Sequence, residues 1–220
     1  MTIYKAIVCD AYGTLFNLDE SLISNLEIDN AIDILAYART KQLAYTWQYS
    51  LMQAYIPFDS ITQMAIEDGC RISGNHPEDA GKLIKLYTEP TVFSDVQSAL
   101  KKLSEKSAPL FILSNGTRKM IDAGMHKNNL SHLIDGVFSA DQIKRYKPDP
   151  RVYAMVTSHL NCRPEEVLFI SSNAWDAVGA EEYGYEVLWL NRAHNYREQY
   201  CRRNRIREIF SLSDVTDIIG

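Results

Sequence analysis

Five short segments of the chain are rich in Val, Ile, Leu and Phe and lack the polar alternation of a half-solvated strand. They are Tyr4 to Cys9, Pro109 to Leu113, Gly136 to Ser139, Glu166 to Ile170 and Glu186 to Leu190. Strands that read this way are buried on both faces, as they are inside a parallel sheet. Between them apolar residues recur at helical spacing, as in Val96, Ala99, Leu100 and Leu103 and again in Val152, Met155, Val156 and Leu160. Strand alternating with helix predicts an α/β fold with a doubly wound, mainly parallel, Rossmann-like sheet. A chain of 220 residues is long enough to close one such core without disulfides or metals.

The interval 17–92 breaks the alternation. Strand signals stop there and helical ones persist, with Leu43, Trp47, Leu51 and Tyr55 falling at every fourth position. That stripe predicts a helix packed on other helices, within an all-helical cap inserted after the first strand. The division expected is a core of residues 1–16 and 93–220 with a cap of 17–92. Toward the other end, the Arg-rich stretch Arg192 to Arg207 reads as a solvated helix face, with an interface or anion patch as the second reading.

The formal net charge of −5 argues against a phosphate-backbone binder, because such proteins present a basic face that displaces counterions. No apolar run reaches the ~18 residues of a membrane helix, and Met1-Thr2-Ile3-Tyr4-Lys5 lacks the apolar core of a leader, so a cytoplasmic location is expected. Cys9, Cys70, Cys162 and Cys201 are isolated, with no CxxC pair or His at ligand spacing. They read as small apolar fillers.

Ligands of open α/β sheets bind beyond the carboxyl ends of the strands, so the residues just after each strand are the candidates for chemistry. The first strand is followed by Asp10 and Thr14, the second by Ser114-Asn115-Gly116 and the fourth by Ser171-Ser172-Asn173 and Asp176, while Lys147 falls near the third. Each alone could be a cap or a turn residue. A nucleophilic carboxylate, hydroxyls, a cation and a second carboxylate converging from four segments form a site.

The stretches "DAYGT" (Asp10 to Thr14), "LSNG" (Leu113 to Gly116), "YKPDPRVY" (Tyr146 to Tyr153) and "SSNAWDA" (Ser171 to Ala177) resemble the four motifs of the haloacid dehalogenase superfamily. The phosphatases of that superfamily carry an acidic residue two places after the nucleophile, where this chain has Tyr12, and commonly a magnesium-binding Asp where it has Ser172. With "ARTKQLAYTW" (Ala38 to Trp47) similar to a cap helix, the resemblance is to the L-2-haloacid dehalogenase branch. Thr40 departs from it, standing where that family has Gln.

The resemblance implies an aspartyl-ester mechanism without metal or other cofactor, on a small 2-haloacid substrate. Asp10 would displace halide from C2, and Lys147 would keep Asp10 charged beside an anionic substrate. Arg39, helped by Asn115 and Phe58, would receive the halide. Ser114 and the backbone N–H groups of Ala11 and Tyr12 would hold the substrate carboxylate. Thr14 and Ser171 would order the nucleophile, Tyr153 would support Lys147, and Asp176 with Asn173 would activate the water that cleaves the ester. Tyr12, Leu43, Phe58 and Trp175 would wall an apolar pocket. A homodimer is compatible with the family. Two other readings stay open, a hydrolase with a different leaving group, such as a magnesium-dependent phosphatase, and a non-catalytic binding module.

Overall fold

The computed structural model describes residues 4–17, 23–105, 108–203 and 205–219. The leader reading at Met1-Thr2-Ile3 and the first residues of the expected cap, 18–22, lie outside them.

All five predicted strands form, and they run parallel. They are β1 (Ala6–Cys9), β4 (Leu110–Ser114), β5 (Gly136–Ser139), β6 (Val167–Ser171) and β7 (Glu186–Leu190), and every residue of β1, β4 and β6 is buried. A sixth strand, β8 (Ile206–Ile209), extends the sheet to the order β5-β4-β1-β6-β7-β8. At the centre, Val8 lies between Phe111 of β4 and Phe169 of β6. Because the chain leaves β1 toward β4 on one side and returns to β6 on the other, a crevice opens at the carboxyl end of β1. A second, two-stranded antiparallel sheet pairs β2 (Phe16–Asn17) with β3 (Thr91–Val92) where the chain leaves and re-enters the core.

Among the described residues between those two short strands lie the helices α1 (Ala31–Met52), α2 (Phe58–Ser73) and α3 (Pro77–Thr88). The second packs on both of the others. The expected stripe on α1 is not its buried face. Leu51 is 83% exposed, Trp47 is 38% exposed, and Tyr55 lies past the helix end. The helix instead buries Ala31, Ile34, Leu35, Ala38, Gln42 and Thr46. Two of these are polar and hidden from an apolar count, and their burial is tolerated because the Gln42 Nε2 donates to Thr62 Oγ1 at 2.9 Å and Thr46 Oγ1 to the Leu43 carbonyl at 2.8 Å.

The core helices follow their patterns more closely. Helix α4 (Val96–Ser104) buries all four residues of its predicted stripe. Between β4 and β5 runs α5 (Arg118–Lys127), started by Thr117, whose side chain accepts from the Met120 N–H. In α6 (Pro150–Leu160), Pro150 opens the first turn and the Asp149 carboxylate caps it. There Val152 and Val156 are buried as expected, whereas Met155 and Leu160 are only partly buried and Tyr153 joins the core. Helix α7 (Ala174–Tyr183) follows β6, and α8 (Asp214–Ile219) lies against α4.

The Arg-rich tail is not a helix face. It holds a short 3-10 turn at Gln199–Cys201 and then β8. Arg197 donates to the carbonyls of Cys201 and Ile206, and Arg203 pairs with Glu181 and Glu182 on α7. Those two fasten the segment, whereas Arg202, Arg205 and Arg207 are exposed.

Helix α7 approaches α6 closely at Gly179, where a Cβ would lie 2.6 Å from both Pro148 Cβ and the Tyr153 hydroxyl. Overpacking of this kind costs about 1–3 kcal/mol, so Gly179→Ala is expected to lower the melting temperature by about 3–10 °C. Gly81→Ala, on α3 with nothing within 4 Å of the added Cβ, is the control and should melt at or above wild type. Thermal melts of the two variants beside wild type check this.

Candidate active site

β1 ends one residue before Asp10, and the backbone then turns sharply. Gly13 takes φ +86°, a region that other residues rarely enter, and the Ala11 carbonyl accepts the N–H groups of Thr14, Leu15 and Phe16. The turn brings Thr14 back over the strand end, where its hydroxyl donates to Asp10 Oδ2 at 3.1 Å while accepting the Ser172 N–H at 2.9 Å. Among the described residues, nothing accepts from the N–H groups of Ala11 and Tyr12.

Three segments converge on that carboxylate. Lys147 Nζ donates to Asp10 Oδ1 at 3.0 Å and to Asp176 Oδ2 at 2.9 Å. From the start of α7, Asn173 Nδ2 donates to Asp10 Oδ2 at 2.9 Å and to the Tyr12 carbonyl at 3.1 Å. The Asn173 Oδ1 in turn accepts from Arg39 Nη2 of α1 at 2.8 Å, so the insert reaches the nucleophile candidate through a single amide. Arg39 is joined to Asn173, whereas Asn115 uses its Oδ1 to accept the backbone N–H of Lys147 at 2.9 Å.

Lys147 and Asp176 are both fully shielded from solvent. Burial alone would push the ammonium toward its neutral form, but the charges of Asp10 and Asp176 outweigh that and hold the lysine above its ordinary value. For Asp176 burial is the largest influence and raises its pKa to about 6, with Lys147 opposing and Asp10 adding to the rise. Its remaining lone pairs are met by Tyr153, whose hydroxyl donates to Oδ1 at 2.8 Å, and by Ser171, whose hydroxyl donates to Oδ2 at 2.9 Å. Tyr153 thus reaches Lys147 through Asp176, which both of them contact. Among the described residues no group of three or more His, Cys, Asp or Glu is placed to hold a metal ion, and the positive charge between the two carboxylates is that of Lys147.

Ser114, at the end of β4, is buried and accepts the Gly116 N–H at 3.1 Å. Phe58 opens α2 behind Tyr12, with ring centroids 6.2 Å apart. The Tyr12 hydroxyl donates to the Tyr87 carbonyl at 2.9 Å, and burial raises its pKa, so the phenol stays protonated and engaged with that carbonyl. Leu43 is partly buried midway along α1. Trp175 stands apart from the expected pocket. It lines an outer groove with Trp47, Pro148 and Tyr200, its ring 5.9 Å from that of Trp47. The reason is helical phase, since Asp176 points into the core and its neighbour in the same turn is carried about 100° round.

Sequence reasoning missed Arg192. From the loop after β7 it donates to the Thr14 carbonyl at 3.0 Å, pairs with Asp95 at 2.9 Å and lies over the Phe93 ring. Asp95 also accepts from the Leu212 N–H and the Ser211 hydroxyl. Although burial opposes it, these bonds hold Asp95 below its ordinary pKa. Nothing in the spacing of Asp95 and Arg192 marks them, because the pairing is made only by the fold.

Removing the shared cation leaves two buried carboxylates facing each other. Lys147→Met is expected to cost about 3–5 kcal/mol at neutral pH. Because both carboxylates then bind protons more readily folded than unfolded, that loss should shrink as pH falls. Melts of variant and wild type at pH 8 and pH 5 check the sign: the gap in melting temperature should be wider at pH 8.

A family model described as haloacid dehalogenase-like hydrolase matches residues 4–184. The chain is 36% identical to (S)-2-haloacid dehalogenase 4A of Burkholderia cepacia, across 98% of this chain and 95% of that one. It is 37% identical to the (S)-2-haloacid dehalogenase of Pseudomonas sp. (strain YL), across 90% and 88%. The structure of L-2-haloacid dehalogenase from Xanthobacter autotrophicus with chloropropionic acid covalently bound superposes with a TM-score of 0.87 at 28% identity, covering 98% of each chain. With a family model spanning residues 4–184 and (S)-2-haloacid dehalogenases 36% and 37% identical over 98% and 90% of its length, this chain belongs to the haloacid dehalogenase-like hydrolases, in the branch of the (S)-2-haloacid dehalogenases.

Proposed function

We propose that the chain hydrolyses short-chain L-2-haloalkanoic acids to D-2-hydroxyalkanoic acids, through an ester on Asp10 and without a metal. The observation that carries this is the Asp10 carboxylate at the end of β1, fixed by Lys147, Thr14 and Asn173 and joined through Asn173 to Arg39. A carboxylate so anchored is aimed, and a positioned nucleophile saves much of the entropy of a bimolecular attack.

In the first step an Asp10 oxygen bonds to C2 from behind the carbon-halogen bond, and halide leaves with the bonding pair. Arg39 meets the departing anion, where its charge acts more strongly on the transition state than on the neutral halogen. The substrate carboxylate is taken by the N–H groups of Ala11 and Tyr12 and by Ser114. In the second step a water adds to the ester carbonyl carbon and gives a proton to Asp176, with Asn173 positioning it. Breakage of the acyl-oxygen bond returns Asp10 with one water oxygen, and the alcohol leaves with an oxygen that came from Asp10 and with the proton that Asp176 hands back. The C2-oxygen bond is never broken, so the one displacement inverts C2. Tyr12, in place of an acidic residue, suits a first displacement whose leaving halide needs no proton.

The same reading takes the enzyme as cytoplasmic, free of nucleic acid and compatible with a homodimer, with a small acid as its substrate. No helix among the described residues is long and apolar enough to cross a membrane, and the pI of about 5.6 supports the exclusion of nucleic acid.

Incubation with L-2-chloropropionate in EDTA is expected to release chloride and form D-lactate, and Asp10→Asn to abolish both. Phosphate released from a monoester with magnesium, and no chloride, would move the assignment to the phosphatase reading. A single turnover in oxygen-18 water with enzyme in excess should yield unlabelled alcohol; label in the product would rule out the ester. Because Asp176 must be ionised to take the proton, ester hydrolysis should fall about tenfold per pH unit below its pKa, which is about 6 in the resting enzyme and lower once esterification removes the Asp10 charge that helps to raise it. Quenched-flow decay of the intermediate between pH 4.5 and 8 measures that limb.

A further inference from the structure

Thr14 is held at two of its polar atoms. Its hydroxyl bonds Asp10 Oδ2 and the Ser172 N–H, and among the described residues the hydrogen bond to its carbonyl comes from Arg192 Nη2 at 3.0 Å. A residue fixed at both ends of its peptide frame cannot rotate without giving up a bond. Where Arg192 stands therefore sets where the hydroxyl on the nucleophile stands.

The guanidinium is itself held on its other sides. Nη1 donates to Asp95 Oδ2 at 2.9 Å, and the plane lies 4.1 Å from the Phe93 ring centre. Asp95 occupies the cap position of α4, where a carboxylate ordinarily accepts an N–H of its own helix, yet it makes no such bond. Its Oδ2 goes instead to Arg192, the Ser211 hydroxyl and the Leu212 N–H. Both members of the pair are only 17% exposed, so salt screens their attraction little. The neighbouring Phe93 N–H donates to the Leu15 carbonyl at 3.3 Å, which ties the same segment to the next residue of the turn.

We propose that Arg192, backed by Asp95, is a positioning residue for the displacement step, keeping the Thr14 hydroxyl in place so that Asp10 stays in line with the carbon-halogen bond. This rests on the dehalogenase reading and adds to it a residue that touches neither substrate nor nucleophile. A shift of about 1 Å in a reacting group costs about a hundredfold in rate, so a loosened turn is felt in the chemistry before it is felt in binding.

The test is bromide release in a single turnover, with the enzyme varied in excess over L-2-bromopropionate, for wild type, Arg192→Met, Arg192→Lys and Arg197→Met. Arg197 also donates to backbone carbonyls, those of Cys201 and Ile206, and serves as the control for a purely structural arginine. Arg192→Met should lower the limiting rate about ten- to a hundredfold, with the half-saturating enzyme concentration within about threefold of wild type. Arg197→Met should lower the melting temperature and leave the limiting rate within about twofold. Arg192→Lys keeps the charge beside Asp95 but loses the planar fork that reaches two acceptors, so it should melt near wild type and still be at least about fivefold slow. Should Arg192→Met fail to fold, the lysine variant decides. A limiting rate within twofold of wild type in Arg192→Lys, equal slowing of Arg192→Met and Arg197→Met, or a loss confined to half-saturation overturns the positioning role alone. No bromide from wild type overturns the functional reading and the positioning role with it.

Discussion

One buried ammonium holds the site together. Lys147 has no access to water and two carboxylates within 3.0 Å, so every other arrangement in the crevice answers to its charge. Two anions and one cation in a dry place are stable only if the remaining lone pairs are met, and the chain meets them with Thr14 and Asn173 on Asp10 and with Ser171 and Tyr153 on Asp176. Those donors come from the ends of β1 and β6 and from α6 and α7. The sheet order, which sets β1 beside β6, is what brings them within reach of one another.

The two carboxylates differ in what surrounds them, and that difference divides their labour. Asp10 keeps a small solvent-accessible edge and faces Asn173 and, beyond it, Arg39. Asp176 is wholly enclosed, and burial lifts its pKa above the ordinary carboxylate value. An ammonium between them can lean toward whichever carries more charge at a given step. When Asp10 is esterified and neutral, Lys147 retains Asp176 as its partner and is never stranded.

Much of this was legible in the sequence because it is written locally. A strand buried on both faces has to be apolar, so the five central strands announced themselves, and a polar residue just past such a strand has little reason to be there except to act. Asp10, Lys147, Asn173 and Asp176 were visible for that reason. What could not be read is what depends on distant partners. Gln42 and Thr46 are polar residues on a buried helix face, acceptable only because Thr62 and a backbone carbonyl are there to meet them. β8 carries Arg207 and Glu208 between its isoleucines and has no apolar run to betray it. Trp175 was placed by motif and displaced by helical phase.

The clamp at Asp95 ties these distances together. Arg192 grips the Thr14 carbonyl only while Asp95 holds the guanidinium, and Asp95 is itself engaged by Ser211 and Leu212. The turn that aims Asp10 is therefore fastened by residues nearly two hundred positions downstream of it. During synthesis this clamp closes only after Leu212 has emerged from the ribosome, so the turn beside Asp10 gains its last fastening when translation is almost over.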